Sequence, residues 1–416
     1  MRRHIRITLY TLLAACLPVS NLFPDAGPFD GKNFTGRIAY SADGNHNDPD
    51  DWAASPVVLA LFAEFGVKQK LVHFDYNSIL TNTNPQWEKT HEDSVLGAVE
   101  RYGYNRKLFH DCRQSLDAAV ASIARAADES TQANPLYFIV AGPMQVPVMG
   151  LQKASPEARR HVYVISHSNW NDGLVTRYRF KNTKRDVIGL GVNWVQIQDQ
   201  NRLLAFSRYG RPAEPEEFEP YFWMRDSKDP KVRFLWERMA VSTRPDPSDS
   251  GMAWFLLTGD EEADPAKYRQ AINEKSVPRP VAFRSRVRIE AENFTFFDGY
   301  ELEITDSAAS HRVGVKLSDA RNAGRIRTSF RQPYTAGRGH YDVEIRYFDE
   351  QGRRSRFALF VNGAAQGSPW ESAGKGLGWT SHMIPNADVK TGDEIYVDVT
   401  GQPARLDFVQ FHLLPR

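Results

Sequence analysis

The hydrophobic pattern of this chain changes its period once, near residues 276–285, and that single change constrains the fold more than any other feature. Upstream, short apolar runs alternate with segments whose apolar residues recur every three to four positions. Such alternation predicts an α/β domain with a mostly parallel sheet covered on both faces. RIAYSA (Arg37–Ala42), KLVHFDYN (Lys70–Asn77), LYFIVAG (Leu136–Gly142) and VYVISHS (Val162–Ser168) read as its strands. Ser55 as N-cap, Pro56 at the first helical position and Gly66 as stop predict a helix between them, with Val58, Leu61, Phe62 and Phe65 on its apolar stripe. Leu116, Ala119, Val120 and Ile123 mark another helix, and VRFLWERMAV and GMAWFLLTG carry the same period further on. Lys181–Pro230 is irregular and rich in Trp, Arg and acidic residues, as expected of a pocket wall above a sheet.

Downstream, VRIEAENF, GYELEIT, YDVEIRYF, RFALFVNG, EIYVDVT and LDFVQFHL alternate or run short between Gly, Asn and Asp turns. This spacing predicts an antiparallel β-sandwich. SVPRPVAFRS (Ser276–Ser285), with its two prolines, reads as the linker. The expected organisation is a signal segment over 1–24, the α/β domain over 33–275, the linker over 276–285 and the sandwich over 286–416.

Charge and hydropathy narrow the function. With 52 basic and 51 acidic side chains the chain lacks the net positive charge that binding to nucleic acid draws on. A mean hydropathy of −0.50, with no apolar run near the length of a membrane span, excludes a polytopic membrane protein. Nine Trp, sixteen Tyr and 24 Phe suit both sugar stacking and a large core. MRRHIR, the short apolar ITLYTLLAA and Cys16 read as an export signal. Leu13–Cys16 resembles a bacterial lipobox, which implies a lipidated Cys16 anchored at a membrane; ordinary cleavage between Cys16 and Pro24 is the alternative. Either outcome predicts an exported protein, whether periplasmic, extracellular or lipid-anchored. Cys112 would then be the remaining cysteine, so neither a disulfide framework nor a cysteine metal site is expected. Despite His110 nearby, Cys112 itself reads as a packing residue.

The loop DGNHNDPDDWA gathers Asp43, Asp48, Asp50 and Asp51, with Asn45 and Asn47, at the carboxyl end of the first strand. Open α/β sheets bind ligands at that edge. Carboxylates this close repel unless a cation sits among them, and all-oxygen donors suit Ca²⁺ or Mg²⁺. Turn formation and support of a helix N-terminus are the ordinary alternative.

The loop resembles the aspartate motif of the nucleoside hydrolase superfamily, in which an Asp-rich turn after strand one holds a Ca²⁺ that binds a sugar diol and the attacking water. FIVAGPMQVPVMGLQ (Phe138–Gln152) resembles that family's TGPLTN segment. VYVISHSNWNDG and PDPSDSGMAWFLL are similar to a branch often labelled cellulose-binding or of unknown function. The resemblance implies Asp51 as a bidentate metal ligand, Asp43 as ligand and general base, Asp50 as a supporting catalytic carboxylate, Asp249 as the distant ligand and Asn77 as a sugar contact. The loop is longer than the family's, which leaves Asp43 and Asp48 both open as the base. Asn45, His167, Asn169 and Trp170 are expected to bind substrate along the rim, His167 and Trp170 beside the leaving group.

RIEAENF (Arg288–Phe294) with LDFVQF (Leu406–Phe411) resembles the opening and closing strands of carbohydrate-binding modules of families 6 and 35. That resemblance implies a second, structural Ca²⁺ at Glu290, Glu292 and Asp407. It also implies Tyr347 and Trp379 as a sugar-binding pair, two core rings being the alternative. Together these features predict an exported, calcium-dependent glycosyl hydrolase acting on a glycan or oligosaccharide, with activated water attacking an anomeric carbon. The competing readings are a secreted nucleoside N-ribohydrolase and a non-catalytic glycan-binding surface protein.

Overall fold

The computed structural model describes residues 27–45, 49–81, 84–174, 180–207, 211–304 and 306–415. The expected signal segment, including Cys16, and Asp48 of the acidic loop lie outside the described residues.

Six strands form the first sheet: β1 (Arg37–Ala42), β2 (Leu71–Tyr76), β3 (Phe109–Asp111), β4 (Leu136–Ala141), β5 (Val162–Ser166) and β6 (Asn193–Gln196). Their order is β3-β2-β1-β4-β5-β6, and every pairing is parallel. Every residue of β1 and β4 is buried, because helices cover both faces, and so the strands read as continuous apolar runs rather than alternations. The chain winds outward from β1 in one direction through β2 and β3, then in the other from β4 to β6. A crevice therefore opens at the carboxyl ends of β1 and β4, the switch point of the sheet.

Two expectations change here. Helix α1 runs over Pro49–Glu64 and keeps Pro56 in its interior, so it starts well before the Ser55–Pro56 signal. Val57 to Phe62 are completely buried, and tertiary packing on all sides holds α1 together despite the missing proline N–H. The extension draws Asp50 and Asp51 out of the loop into the first turn, where the helix dipole favours carboxylates. The irregular region after Lys181 also contributes the helix Lys184–Gly189 and strand β6. Four strand residues are too few to display a period.

The second domain contains β7 (Arg286–Glu290), β8 (Phe296–Asp298), β9 (Tyr300–Ile304), β10 (Val313–Leu317), β11 (Ala323–Ser329), β12 (Arg338–Asp349), β13 (Arg356–Val361), β14 (Ala364–Glu371), β15 (Gly378–Lys390), β16 (Glu394–Thr400) and β17 (Arg405–Leu413). One sheet runs β15-β12-β17-β10-β9 with β7 also on β17, and the other runs β14-β13-β16-β11-β8. Val343 and Ile345 of the first share a core with Phe357, Leu359 and Val397 of the second, which makes the unit a β-sandwich.

The 276–285 segment lies against both domains. Val281 N–H donates to Thr258 O (2.8 Å), and Arg284 N–H donates to Tyr334 O (2.7 Å). The Tyr334 hydroxyl in turn donates to Leu256 O (2.8 Å), inside the α/β domain. Among the described residues no helix is long and apolar enough to cross a membrane.

Candidate metal centre

Asp43 leaves β1 at the switch point. Gly44 follows with φ +56°, and a Cβ there would lie 2.0 Å from His91 Nδ1, so glycine is required at this turn. The Gly44 N–H donates to Asp43 Oδ1 and to Asp51 Oδ2, each at 2.7 Å. Asp51 N–H donates to Asp50 Oδ1 at 2.9 Å. Asp249, just before the helix Ser250–Thr258, completes the group. One carboxylate oxygen from each of Asp50, Asp51 and Asp249 lies within 4.8 Å of the others. Close approach of the strand ends depends on Gly142, where a Cβ would sit 3.0 Å from both Asp43 N and Ser78 Oγ.

Burial pushes the Asp51 carboxyl well above the usual carboxylate range, and the charges of Asp43, Asp249 and Asp50 push it further. Asp51 Oδ1 is buried and receives no hydrogen bond among the described residues. Leaving such an oxygen unsatisfied carries a penalty of about 1–3 kcal/mol, more for a charged group. A hard divalent cation bound by oxygens would remove both penalties, so these residues fit one.

His167 Nε2 lies 2.8 Å from Asp249 Oδ1, and its Nδ1 lies 3.2 Å from the Gln200 N–H and 3.6 Å from Asp199 Oδ1. The Gln200 amide suits a neutral ring, whereas the carboxylates suit a charged one. Burial opposes the charge, but hydrogen bonds and attraction from Asp199 and Asp249 hold the His167 pKa up to about 9. The ring thus orients Asp249 from behind, as residues around a metal commonly do for a ligand.

Sequence reasoning missed Tyr40. Its hydroxyl is buried without a hydrogen bond among the described residues, in the field of Asp249, Asp51 and Asp50, and burial raises its pKa strongly. An apolar-looking strand gives no sign of it.

The expected substrate contacts divide. The Asn45 amide bridges the Ile79 backbone, donating to its O at 2.9 Å and accepting from its N at 3.1 Å. Asn77, at φ +60°, is buried among Glu88 O, Asp111 Oδ2 and His91 Nδ1 at 3.2–3.3 Å. Both amides are occupied in holding loops, because buried polar groups demand partners. Asn169 donates to His311 O (2.7 Å) and meets His311 Nδ1 (3.1 Å) through its Oδ1, reaching the sandwich rather than the crevice. Trp170 is half-buried beside Phe180, ring centroids 4.8 Å apart.

The sandwich departs from expectation at both of its own sites. Tyr347 is buried against Phe357 and Trp370, whereas Trp379 packs on Phe348 and donates to Asp306 Oδ2 (2.6 Å). Phe348 and Tyr347 alternate along β12 and so face opposite sides of the sheet, which prevents Tyr347 and Trp379 from clasping one ring. The oxygens of Glu290, Glu292 and Asp407 do not converge as those of the first cluster do among the described residues. Asp407 is drawn to Arg346 (2.5 Å) and the Ser310 N–H (2.9 Å), Glu290 to the Ser310 hydroxyl (2.9 Å), and Glu292 to Lys184 (2.9 Å). Arranged this way, the three do not fit a calcium ion.

No protein-family model matches the chain. An uncharacterized protein of Formosa agariphila, P22, is 27% identical over 242 residues, covering 54% of this chain and 84% of that protein. Among solved structures, a GH26-CBM35 β-(1,4)-mannanase of Podospora anserina is 20% identical with a TM-score of 0.27; the match covers 32% of this chain and 28% of the mannanase. A family 35 carbohydrate-binding module of Clostridium thermocellum is 20% identical with a TM-score of 0.26, over 32% of this chain and 100% of the module. The C-terminal family 6 module of a laminarinase of Zobellia galactanivorans is 18% identical with a TM-score of 0.24, over 30% of this chain and 98% of the module. Likenesses this distant identify neither a ligand nor an activity.

Proposed function

We propose that the chain is an exported, metal-dependent hydrolase of glycosyl bonds, taking Ca²⁺ at Asp50, Asp51 and Asp249 and acting on a carbohydrate. The observation that carries this reading is the convergence of three carboxylates at the switch-point crevice, with a buried Asp51 oxygen that receives no hydrogen bond among the described residues. A bound divalent ion supplies positive charge that acidifies water and gathers sugar hydroxyls. Asp43, whose Oδ1 accepts from the Gly44 N–H, would take a proton from attacking water in this reading. Asp50, the most exposed of the three, borders the crevice. His167 fixes the angle of Asp249. The sequence likeness to nucleoside hydrolases and to carbohydrate-binding modules supports the choice of a sugar substrate.

Calorimetric titration of the full chain with Ca²⁺ tests the site. Wild type takes up the ion and Asp51→Asn loses that uptake. A panel of glycans and nucleosides at fixed Ca²⁺ then tests the chemistry, with Asp43→Asn expected to keep Ca²⁺ but lose turnover. A wild-type chain that binds no divalent ion would sink the reading.

A further inference from the structure

The most deeply buried cation joining the two domains is Lys184, at 1% exposure. It opens the short helix of the α/β domain that follows Thr183, whose side chain and Asp186 form a reciprocal cap. Its Nζ lies 2.9 Å from Glu292 Oε1 of the sandwich and 3.4 Å from Asp172 Oδ2 of its own domain. Burial disfavours the ammonium, yet Glu292 and Asp172 outweigh burial and keep its pKa above the ordinary lysine value. Beside it, Arg185 donates to the backbone oxygens of Glu292 and Phe294, each at 2.7 Å.

Glu290 at the end of the first strand of the sandwich, Glu292 in the turn that follows it and Asp407 on the last strand form an acidic group, with Glu290 paired to Phe408. Arg346 answers Asp407 from within the sandwich. Glu290 Oε2 and Glu292 Oε2 receive no hydrogen bond among the described residues, and burial raises the pKa of both carboxyls. Arg288 of the sandwich acts on Glu290, whereas the cation that contacts Glu292 comes from the other domain.

We infer that Lys184 stands where a divalent cation would otherwise sit against Glu290 and Glu292, so that the sandwich is locked to the α/β domain by a metal-free, intrachain latch. The consequence reaches the candidate centre. Glu290 also faces His311 Nε2 at 3.8 Å, and His311 is held by Asn169, two residues after His167. The latch therefore seats the 310–312 turn against the loop that orients Asp249. In this arrangement the sandwich is a fixed wall of the site rather than a mobile sugar-capturing appendage.

The test uses the full chain in an Asp51→Asn background, which removes the uptake assigned to the other cluster. Calorimetry with Ca²⁺ alone is expected to show no binding by Asp51→Asn. Asp51→Asn/Lys184→Ala gains one Ca²⁺ per chain, and adding Glu290→Gln abolishes that gain. Should the Lys184 variant fail to fold, Asp51→Asn itself still decides: chelator and Ca²⁺ leave its rate of proteolysis within 276–285 unchanged. Calcium uptake by Asp51→Asn that Glu290→Gln removes would overturn the latch. A wild-type chain that binds no Ca²⁺ defeats the proposed hydrolase but supports the latch, so the two failures are distinct.

Discussion

The two buried acidic clusters of this protein have nearly the same composition and opposite electrostatic solutions. Asp50, Asp51 and Asp249 converge, and the basic group described at them, His167, addresses Asp249 and leaves Asp51 Oδ1 unmet. Glu290, Glu292 and Asp407 are pulled apart by Lys184 and Arg346. The difference teaches that carboxylates of similar kind converge in one setting and are each drawn to a different partner in another, according to what packing brings beside them. Buried charge must be paired by something, and a lysine brought by packing serves as well as an ion.

Removing the internal cation is the strongest way to break the comparison. Lys184→Ala leaves Glu292 and Asp172 buried and unpaired, a loss of about 3–5 kcal/mol in denaturant unfolding. Calcium should restore part of it, turning the second cluster into a likeness of the first.

Acid should stress both clusters together. Burial holds His91, beside the first, and His311, beside the second, neutral, each with a pKa depressed from 6.5 to about 3. A depressed histidine contributes stability that is complete above 6.5 and lost as pH falls toward 3, since the unfolded chain takes up protons first. Thermal unfolding across that window should show the decline, and His91→Gln, where it folds, should flatten it.

Asp51→Asn sharpens the contrast from the other side. Without metal it should stabilise the chain by about 1–3 kcal/mol near neutral pH, because a buried carboxylate with one oxygen left without a donor is neutralised. Its raised pKa means that wild-type stability without metal falls as pH rises from 3.8 through the folded value, and the variant lacks that slope. With Ca²⁺ present the order reverses, and melting curves with and without the ion would expose it.

Asn169→Ala should have the smallest effect. It removes two hydrogen bonds to His311 at the seam, about 1–2 kcal/mol, and should speed proteolysis within 276–285 more than it lowers global stability.

Much of the architecture was legible before the structure. Periodicity marks β1, β2, β4 and β5, the Ser250–Thr258 helix and the change to an all-β module, because burial of one face or of a whole strand writes itself into local sequence. β3 and β6 were too short to carry a period. The early start of α1 was hidden because packing overrode the proline signal. Within the candidate centre, Asp51 and Asp249 were expected as ligands from residue type and position, whereas Asp50 was expected only as a supporting carboxylate and Asp43, expected as a ligand, is not among the three that converge. Asn45 and Asn77 were misread because an amide in a loop looks the same whether it faces a ligand or ties down a backbone.

Sequence alone determined the two-domain order, the covered parallel sheet and the acidic edge where the candidate metal centre lies. Tertiary structure alone decided which partner each carboxylate meets. Lys184 and Glu292 are separated by 108 residues, and His167 and Asp249 by 82. Hydrophobic period reports burial within a few turns of chain, whereas the field at a carboxylate comes from whatever packing brings within a few ångströms.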